Sequence, residues 1–421
     1  MHIMLIILFL LATPVTGPSL SSAQEKVPPV PLQTYTLQDI LDLAVEHNPL
    51  LKETQGILEQ KEGGKLSASA YPNPTLSLQS GRGTVRDPSV GITITERYIT
   101  LSQPFEWPGK RAAHQQAAEA GLASAQALME EAKLNLIAQT KHAFYDLLLA
   151  THQADTAVHN LQTMQEVREA VLRRVEAGEA PPFEAVKVKV EDMKVQKELT
   201  RAKGVVQSFQ AALNSLTAGA LGSNFAIQGT FATGQGTVQL DPISEQTLAA
   251  HPMMTKWEHL VEEAKQSHRQ EQQARIPNIT LNGGYQRDAG REAYVAGLSI
   301  PFPVWNQREG DIARAKGILR EREAGRLRTK YELMKGITQQ AQLSQAAAAQ
   351  IATYEKGLLK QAEEALRIAK VSFKYGEAGL LDVLDAQRVL RQTELDYAQA
   401  RYDLSIALTE LERFRGGPFH E

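Results

Sequence analysis

Four landmarks occur twice in this chain, in the same order and roughly 200 residues apart, and that duplication constrains the fold more than any other feature. "SAYPNPTLSLQSG" near Tyr71 returns as "ARIPNITLNGGYQ" near Ile276. "TLSQPFEWPGKRAA" near Pro104 returns as "GLSIPFPVWNQREG" near Pro301. "RRVEAGEAPPFEAVK" near Gly178 returns as "SFKYGEAGLLDVLDAQ" near Gly376, and "LNSLTAG" ending at Gly219 returns as "LERFRGG" ending at Gly417. The chain therefore reads as two copies of one unit, 37–219 and 243–417, joined by a Gly/Thr-rich linker at 220–242. A leader at 1–23 and an extended segment at 24–36 precede them, and a short tail at 418–421 follows.

Each copy has the same order of elements. An opening helix ends at proline. Two short runs follow in which apolar and polar residues alternate: Leu76 and Leu78, then Val90, Ile92 and Ile94, in the first copy; Ile279 and Leu281, then Tyr294, Ala296, Leu298 and Ile300, in the second. A period of two gives a strand one apolar and one polar face. Gly- and charge-rich stretches, "SGRGTVRDPS" and "GYQRDAGREA", separate the runs and read as strand tips. Next come two proline-free helical stretches, Lys110 to Ala177 and Asp311 to Tyr375, each about 100 Å long at 1.5 Å per residue. Helices of that length belong to rods or tube walls. A glycine turn and a returning helix close each copy. In the second return, Val383, Leu390, Tyr397, Leu404 and Leu411 fall seven apart, beside Ala386, Thr393, Ala400, Ala407 and Phe414. Such stripes pack antiparallel helices.

Composition removes several function classes. A net charge of −3 gives no field that would attract nucleic acid. With no cysteine, disulfides, thiolate metal sites and cysteine nucleophiles are excluded. "MHIMLIILFLLATPVTGPSLSSAQEK" has a short apolar run and a small-residue cleavage site before Gln24, the pattern of an export signal. No later segment is apolar enough to cross a bilayer as a helix, so any span is made by strands. Four strands with one apolar face cannot close alone; three chains would supply twelve, within the range of membrane barrels. No phosphate loop, nucleophile elbow or zinc motif occurs, and the ten histidines lack ligand spacing, so neither an enzyme nor a cofactor is implied.

The stretch "FKYGEAGLLDVLDAQRVLRQTELDYAQARYDLS" and the whole order of elements resemble the TolC family of outer-membrane efflux factors. "YPNP" followed by "QPFEWPGKR" is most similar to its CzcC-like heavy-metal branch. The resemblance covers essentially all of the mature chain. It implies a mainly α protein with a membrane β-barrel: a homotrimer with twelve strands in the outer membrane above an α-helical barrel in the periplasm. It also implies a periplasmic adaptor and an inner-membrane pump as partners, outer-membrane lipid around the barrel, and no chemistry on this chain. The export role competes with multidrug efflux and type I secretion, and more distantly with a periplasmic adaptor or a structural coiled coil.

The resemblance also suggests site residues. Gly178, Glu179 and Ala180, with Gly376, Glu377 and Ala378, form the helix-hairpin tips that an adaptor would meet. Asp382 and Asp385 share one helix face and match carboxylates that ring the narrow end of the pore; Glu184 matches an acidic position past the first tip. The plain alternative is that these acids only complement a helix dipole. Phe105, Trp107, Phe302 and Trp305 follow the second strand of each pair, at the membrane's periplasmic interface or at a barrel-to-helix junction. Phe373 and Ala378 occupy places where the family's best-known multidrug member has a tyrosine and an arginine that latch the closed gate, and neither can make that hydrogen-bonded latch, so a closed state must be held in another way.

Overall fold

The computed structural model describes residues 33–84, 93–233, 248–288 and 291–417. The leader, the tail, much of the linker, and Val90 and Ile92 lie outside the described residues. Strand β1 (Gln33–Thr36) leads into α1 (Leu37–His47), whose N-cap Thr36 and third residue Asp39 form a reciprocal capping box. The expected single opening helix is two. Asn48 has extended backbone, and its side chain caps the next helix, α2 (Pro49–Ser69). The reason is local: a residue before proline is pushed out of the helical region. The second copy repeats the device, His251 capping α5 (Pro252–Gln273).

Strands β2 (Thr75–Thr84), β3 (Thr93–Phe105), β5 (Ile279–Asp288) and β6 (Arg291–Ser299) form one antiparallel sheet in the order β2-β3-β5-β6. The two expected strand pairs thus join, through nine residue pairs from Arg97↔Arg287 to Phe105↔Ile279. The ladder runs through most of the stretch read as the second tip, and it stops at Ser299, leaving Ile300 outside. A single chain leaves β2 and β6 as open edges.

The long helix α3 (Pro108–Glu176) is unbroken over 69 residues and turns into α4 (Pro182–Leu216). Part of the joining segment folds back. Strand β4 (Phe225–Gln228) pairs in parallel with β1, and Phe225 and Phe231 enter a core with Ile40, Phe144, Leu147 and Leu213. In the second copy the expected continuous helix is interrupted: α6 (Glu309–Thr353) meets α7 (Leu359–Lys374) through a π-helical turn, Tyr354–Leu358. Gly357 there has φ 145°, a backbone state closed to ordinary side chains. The return helix α8 (Leu380–Arg415) buries the heptad residues Val383, Leu404 and Leu411 on one seam and Thr393, Ala400 and Ala407 on the other.

Toward the tips the helices lie side by side in the order α4, α3, α8, α7. One core of Met164, Val171, Val188, Phe373, Leu380 and Val383 ties both hairpins together. Polar contacts add to the α3–α8 seam: Lys141 pairs with Glu412, Tyr402 donates to Asp146 at 2.6 Å, and His142 lies 2.8 Å from Glu410. Burial pushes the Glu410 carboxyl up, but hydrogen bonds from His142 and Arg413 outweigh it and hold its pKa at about 2.

The two hairpins differ at one seam position. Leu390 lies fourteen residues past Gly376, and Asp192 lies fourteen past Gly178. Asp192 is buried and accepts from Arg168 at 2.8 Å and from Gln196 at 3.0 Å, leaving one carboxylate oxygen without a partner among the described residues. Removing one member of a buried pair costs more than removing both. Arg168 keeps about a third of its side chain in solvent, which discounts the effect. Arg168→Met alone should therefore destabilise by about 2 kcal/mol, and Arg168→Met/Asp192→Leu should recover most of that loss. Thermal unfolding of the detergent-purified protein checks both; a double variant no more stable than the single would contradict it.

Candidate functional site

The two hairpin tips are built alike. After α3, the Gly178 N–H donates to Val175 and the Glu179 N–H to Arg174; after α7, Gly376 donates to Phe373 and Glu377 to Ser372. This pair of reversed bonds requires a left-handed residue, and both glycines supply it, at φ 74° and 79°. Nothing lies within 4 Å of where a Cβ would stand on either glycine, so only the backbone demands them.

The acidic residues sit where the tip chemistry puts them. Glu184 and Asp382 are each the third residue of a returning helix. Asp382 Oδ2 accepts from the Gly379 N–H at 2.8 Å and so caps its own helix. Glu184 cannot do the same, because Pro181 at its N-cap has no N–H. Asp385 is exposed and pairs with Arg388 on its own helix. Asp385 and Arg388 also line a groove of 470 Å³ between the hairpins, with Lys187, Glu191, Lys194 and Arg391.

Residues that sequence reasoning passed over hold the two hairpins to each other. The Arg174 guanidinium lies 4.8 Å from the centre of the Phe373 ring and donates to the Phe373 carbonyl at 3.3 Å. Lys370 meets Glu166 at 3.1 Å. Gln387 donates to the Asn160 side chain at 2.6 Å, and Arg391 reaches both oxygens of Glu198 at 2.6 Å. The departure at Phe373 thus has a consequence: its ring is buried beneath an arginine instead of offering a hydroxyl. No sequence period marks these partners, because they lie about 200 residues apart.

At the other end of the molecule the sheet register sorts residues by face. Leu76, Leu78, Ile99, Leu101, Phe105, Ile279, Leu281, Tyr285, Tyr294 and Leu298 share one side. Ser77, Gln79, Thr100, Ser102, Asn282 and Gln286 share the other. The apolar side is solvent-facing in the single chain; Leu78, for example, is 68% exposed. From Phe105 to Ile99 the apolar band spans about 20 Å along the strand. Phe105 closes β3 instead of following it, and Trp107 is the N-cap of α3. Phe302 and Trp305 lie in the segment between β6 and α6, 80% and 96% exposed. All four mark the helix-side end of the band. Tyr285 and Tyr294, ring centres 5.7 Å apart, mark its far end, and only the register reveals that they pair. Among the described residues no helix is long and apolar enough to cross a membrane, and no group of His, Asp or Glu is arranged to hold a metal ion.

The family model for outer membrane efflux proteins matches residues 40–219 and 243–417. The cobalt-zinc-cadmium resistance protein CzcC of Cupriavidus metallidurans is 27% identical over 391 residues, covering 90% of each chain. The outer membrane protein VceC of Vibrio cholerae superposes with a TM-score of 0.77 at 23% identity, over 91% of this chain and 97% of that one. The Campylobacter jejuni CmeC outer membrane channel superposes with a TM-score of 0.79 at 18% identity, over 91% and 86%. These likenesses extend across both copies of the unit, sheet and helices together.

The tip geometry yields a paired expectation. Gly376→Ala places a side chain at positive φ and should cost about 1 kcal/mol without any clash. Gly379→Ala, at φ −85°, should cost less. Hydrogen exchange at residues 372–379 reads the difference; equal protection in the two variants would contradict the backbone account.

Proposed function

Since the chain belongs to the outer membrane efflux protein family, placed in the outer membrane and reaching into the periplasm, we propose that it is the duct of a tripartite system that exports heavy-metal cations. It is a channel component and not an enzyme. The observation that carries the metal reading is the likeness to the cobalt-zinc-cadmium resistance protein, which spans nearly the full length of both chains. An inner-membrane pump and a periplasmic adaptor are its partners, the adaptor meeting the tips at Gly178, Glu179, Ala180, Gly376, Glu377 and Ala378.

The assembly is a homotrimer with a twelve-stranded barrel on a helical barrel. Two open edges support this. Strands β2 and β6 lack partners in the single chain, and a bilayer tolerates no unpaired edge. The outer helices α4 and α7 carry matching apolar stripes. Phe183, Val186, Val190 and Met193 climb α4 from its tip; Tyr375, Val371 and Ile368 climb α7 from the other. Each stripe begins with an aromatic residue beside the tip and continues at helical spacing. A head-to-tail ring brings α4 of one copy against α7 of the next and closes.

In that ring Glu184, Asp382 and Asp385 repeat around one axis at the narrow periplasmic end. Carboxylates gathered around one axis attract cations. Metal passes as a hydrated ion. Phe105, Trp107, Phe302 and Trp305 lie at the periplasmic side of the bilayer, where amphipathic aromatics collect.

Deleting the gene and measuring growth against Zn, Co, Cd, Ni, Cu and Ag salts, dyes and antibiotics tests the substrate. Sensitisation to metals, restored by the wild-type gene and weakened with Asp382→Ala/Asp385→Ala, is expected. Sensitisation to dyes and antibiotics alone would make the chain a multidrug duct, and loss of a secreted protein with neither would make it a type I secretion channel. Separately, Val186→Asp/Val190→Asp should convert detergent-solubilised trimer to monomer by light scattering. Trimer of undiminished stability would sink the α4–α7 seam.

A further inference from the structure

Beyond the apolar band, the outward face of the sheet carries a charged row. Ser80, Arg97, Arg287 and Glu292 lie side by side across β2, β3, β5 and β6, on the same face as Leu78, Ile99, Tyr285 and Tyr294. They stand one step further from the helices. Arg82 lies one step beyond again, diagonal to Arg97.

Arg97 and Arg287 are direct cross-strand partners. That brings their Cβ atoms to about 5 Å, and like charges so placed repel. Among the described residues, the ion pair at this level is a long one, Arg287 Nε to Glu292 Oε1 at 3.7 Å, with both side chains more than half exposed. Among the described residues, three guanidinium groups thus share this face with one carboxylate, Glu292. Packing does not require them there, since all three are exposed.

Their depth supplies the second observation. The Tyr285–Tyr294 pair ends the apolar band, and aromatic girdles mark headgroup level on membrane barrels. Arg97 and Arg287 stand two residues further out, about 7 Å along the strands, and Arg82 two residues beyond that. The helices leave the opposite end of the sheet, so in an outer-membrane duct this end faces the outer leaflet.

We propose that Arg97, Arg287 and Arg82 form a binding site for the phosphate groups of an outer-leaflet glycolipid. The guanidinium fork takes phosphate oxygens two at a time, and a phosphate between two arginines turns their repulsion into attraction. The apolar face just below takes the acyl chains, which selects a lipid over free phosphate. This rests on the outer-membrane placement above.

Full-length protein in detergent is titrated with diphosphoryl lipid A, its dephosphorylated form, phosphatidylglycerol and inorganic phosphate, and bound molecules are counted by native mass spectrometry. Lipid A should bind about tenfold more tightly than its dephosphorylated form. Arg97→Gln/Arg287→Gln should remove that preference, while Arg97→Lys/Arg287→Lys should keep most of it. Equal binding of the two lipid A forms by wild-type protein overturns the site without reference to any variant. A Gln variant that folds and retains the preference also overturns it, as does phosphatidylglycerol or inorganic phosphate binding as tightly as lipid A. Membrane fractionation separates the two levels of failure. Protein absent from the outer membrane defeats the placement and the site together; protein present there without phosphate preference defeats the site alone.

Discussion

An unpaired sheet edge is the constraint on which everything else in this chain depends. The four strands expose an apolar face and end in two open edges, β2 and β6. In hydrocarbon each unpaired backbone group costs several kcal/mol, roughly as much as burying one large apolar side chain returns. No rearrangement of four strands removes both edges, so the sheet needs other copies. The helices meet the same demand in another medium. Their side-by-side order leaves α4 and α7 outermost, each with an apolar stripe. One closure would satisfy hydrogen bonding in the membrane and apolar burial in the periplasm.

The tips show how local folding chemistry and the proposed function share residues. Asp382 completes the cap of α8 and is also the carboxylate that threefold symmetry would gather. These readings do not compete, because the cap uses only one of the two carboxylate oxygens. Glu184 differs: it stands in the first turn of α4, but the proline at its cap offers no N–H, so it makes no capping bond back to that residue. The hairpins are tied by Arg174 on Phe373 and by the Gln387–Asn160 and Arg391–Glu198 contacts.

The two copies have diverged where their environments differ. A buried Asp192–Arg168 pair stands in the first hairpin where the second has Leu390, and α3 runs unbroken where α6 and α7 are joined by the π turn at Gly357. The order of elements is common to both copies, while the buried ion pair and the π turn each occur in one. A π turn re-aims the helix below it, so the tip at Gly376 is positioned by Gly357 as well as by its own turn.

The duplicated order, the long helices, the heptad seams of α8 and the glycine turns were legible in the sequence, because each is a local or periodic signal. Alternation at Leu76 and Leu78 and tip glycines at fixed places need no partner to be read. What escaped was non-local. The pairing of β3 with β5, the Tyr285–Tyr294 pair, the Arg97–Arg287 row and the contacts between hairpins join residues from different copies, and no period connects them. The break at Asn48 was marked by its proline, but nothing local set Gly357 apart from Gly317, Gly325 and Gly336, which the same helical stretch carries without a break. Sequence by itself determined which elements form, since helix and strand periods and turn residues act over a few positions. Tertiary structure alone decided which faces meet, since register and side-by-side order depend on burial shared between segments far apart in the chain.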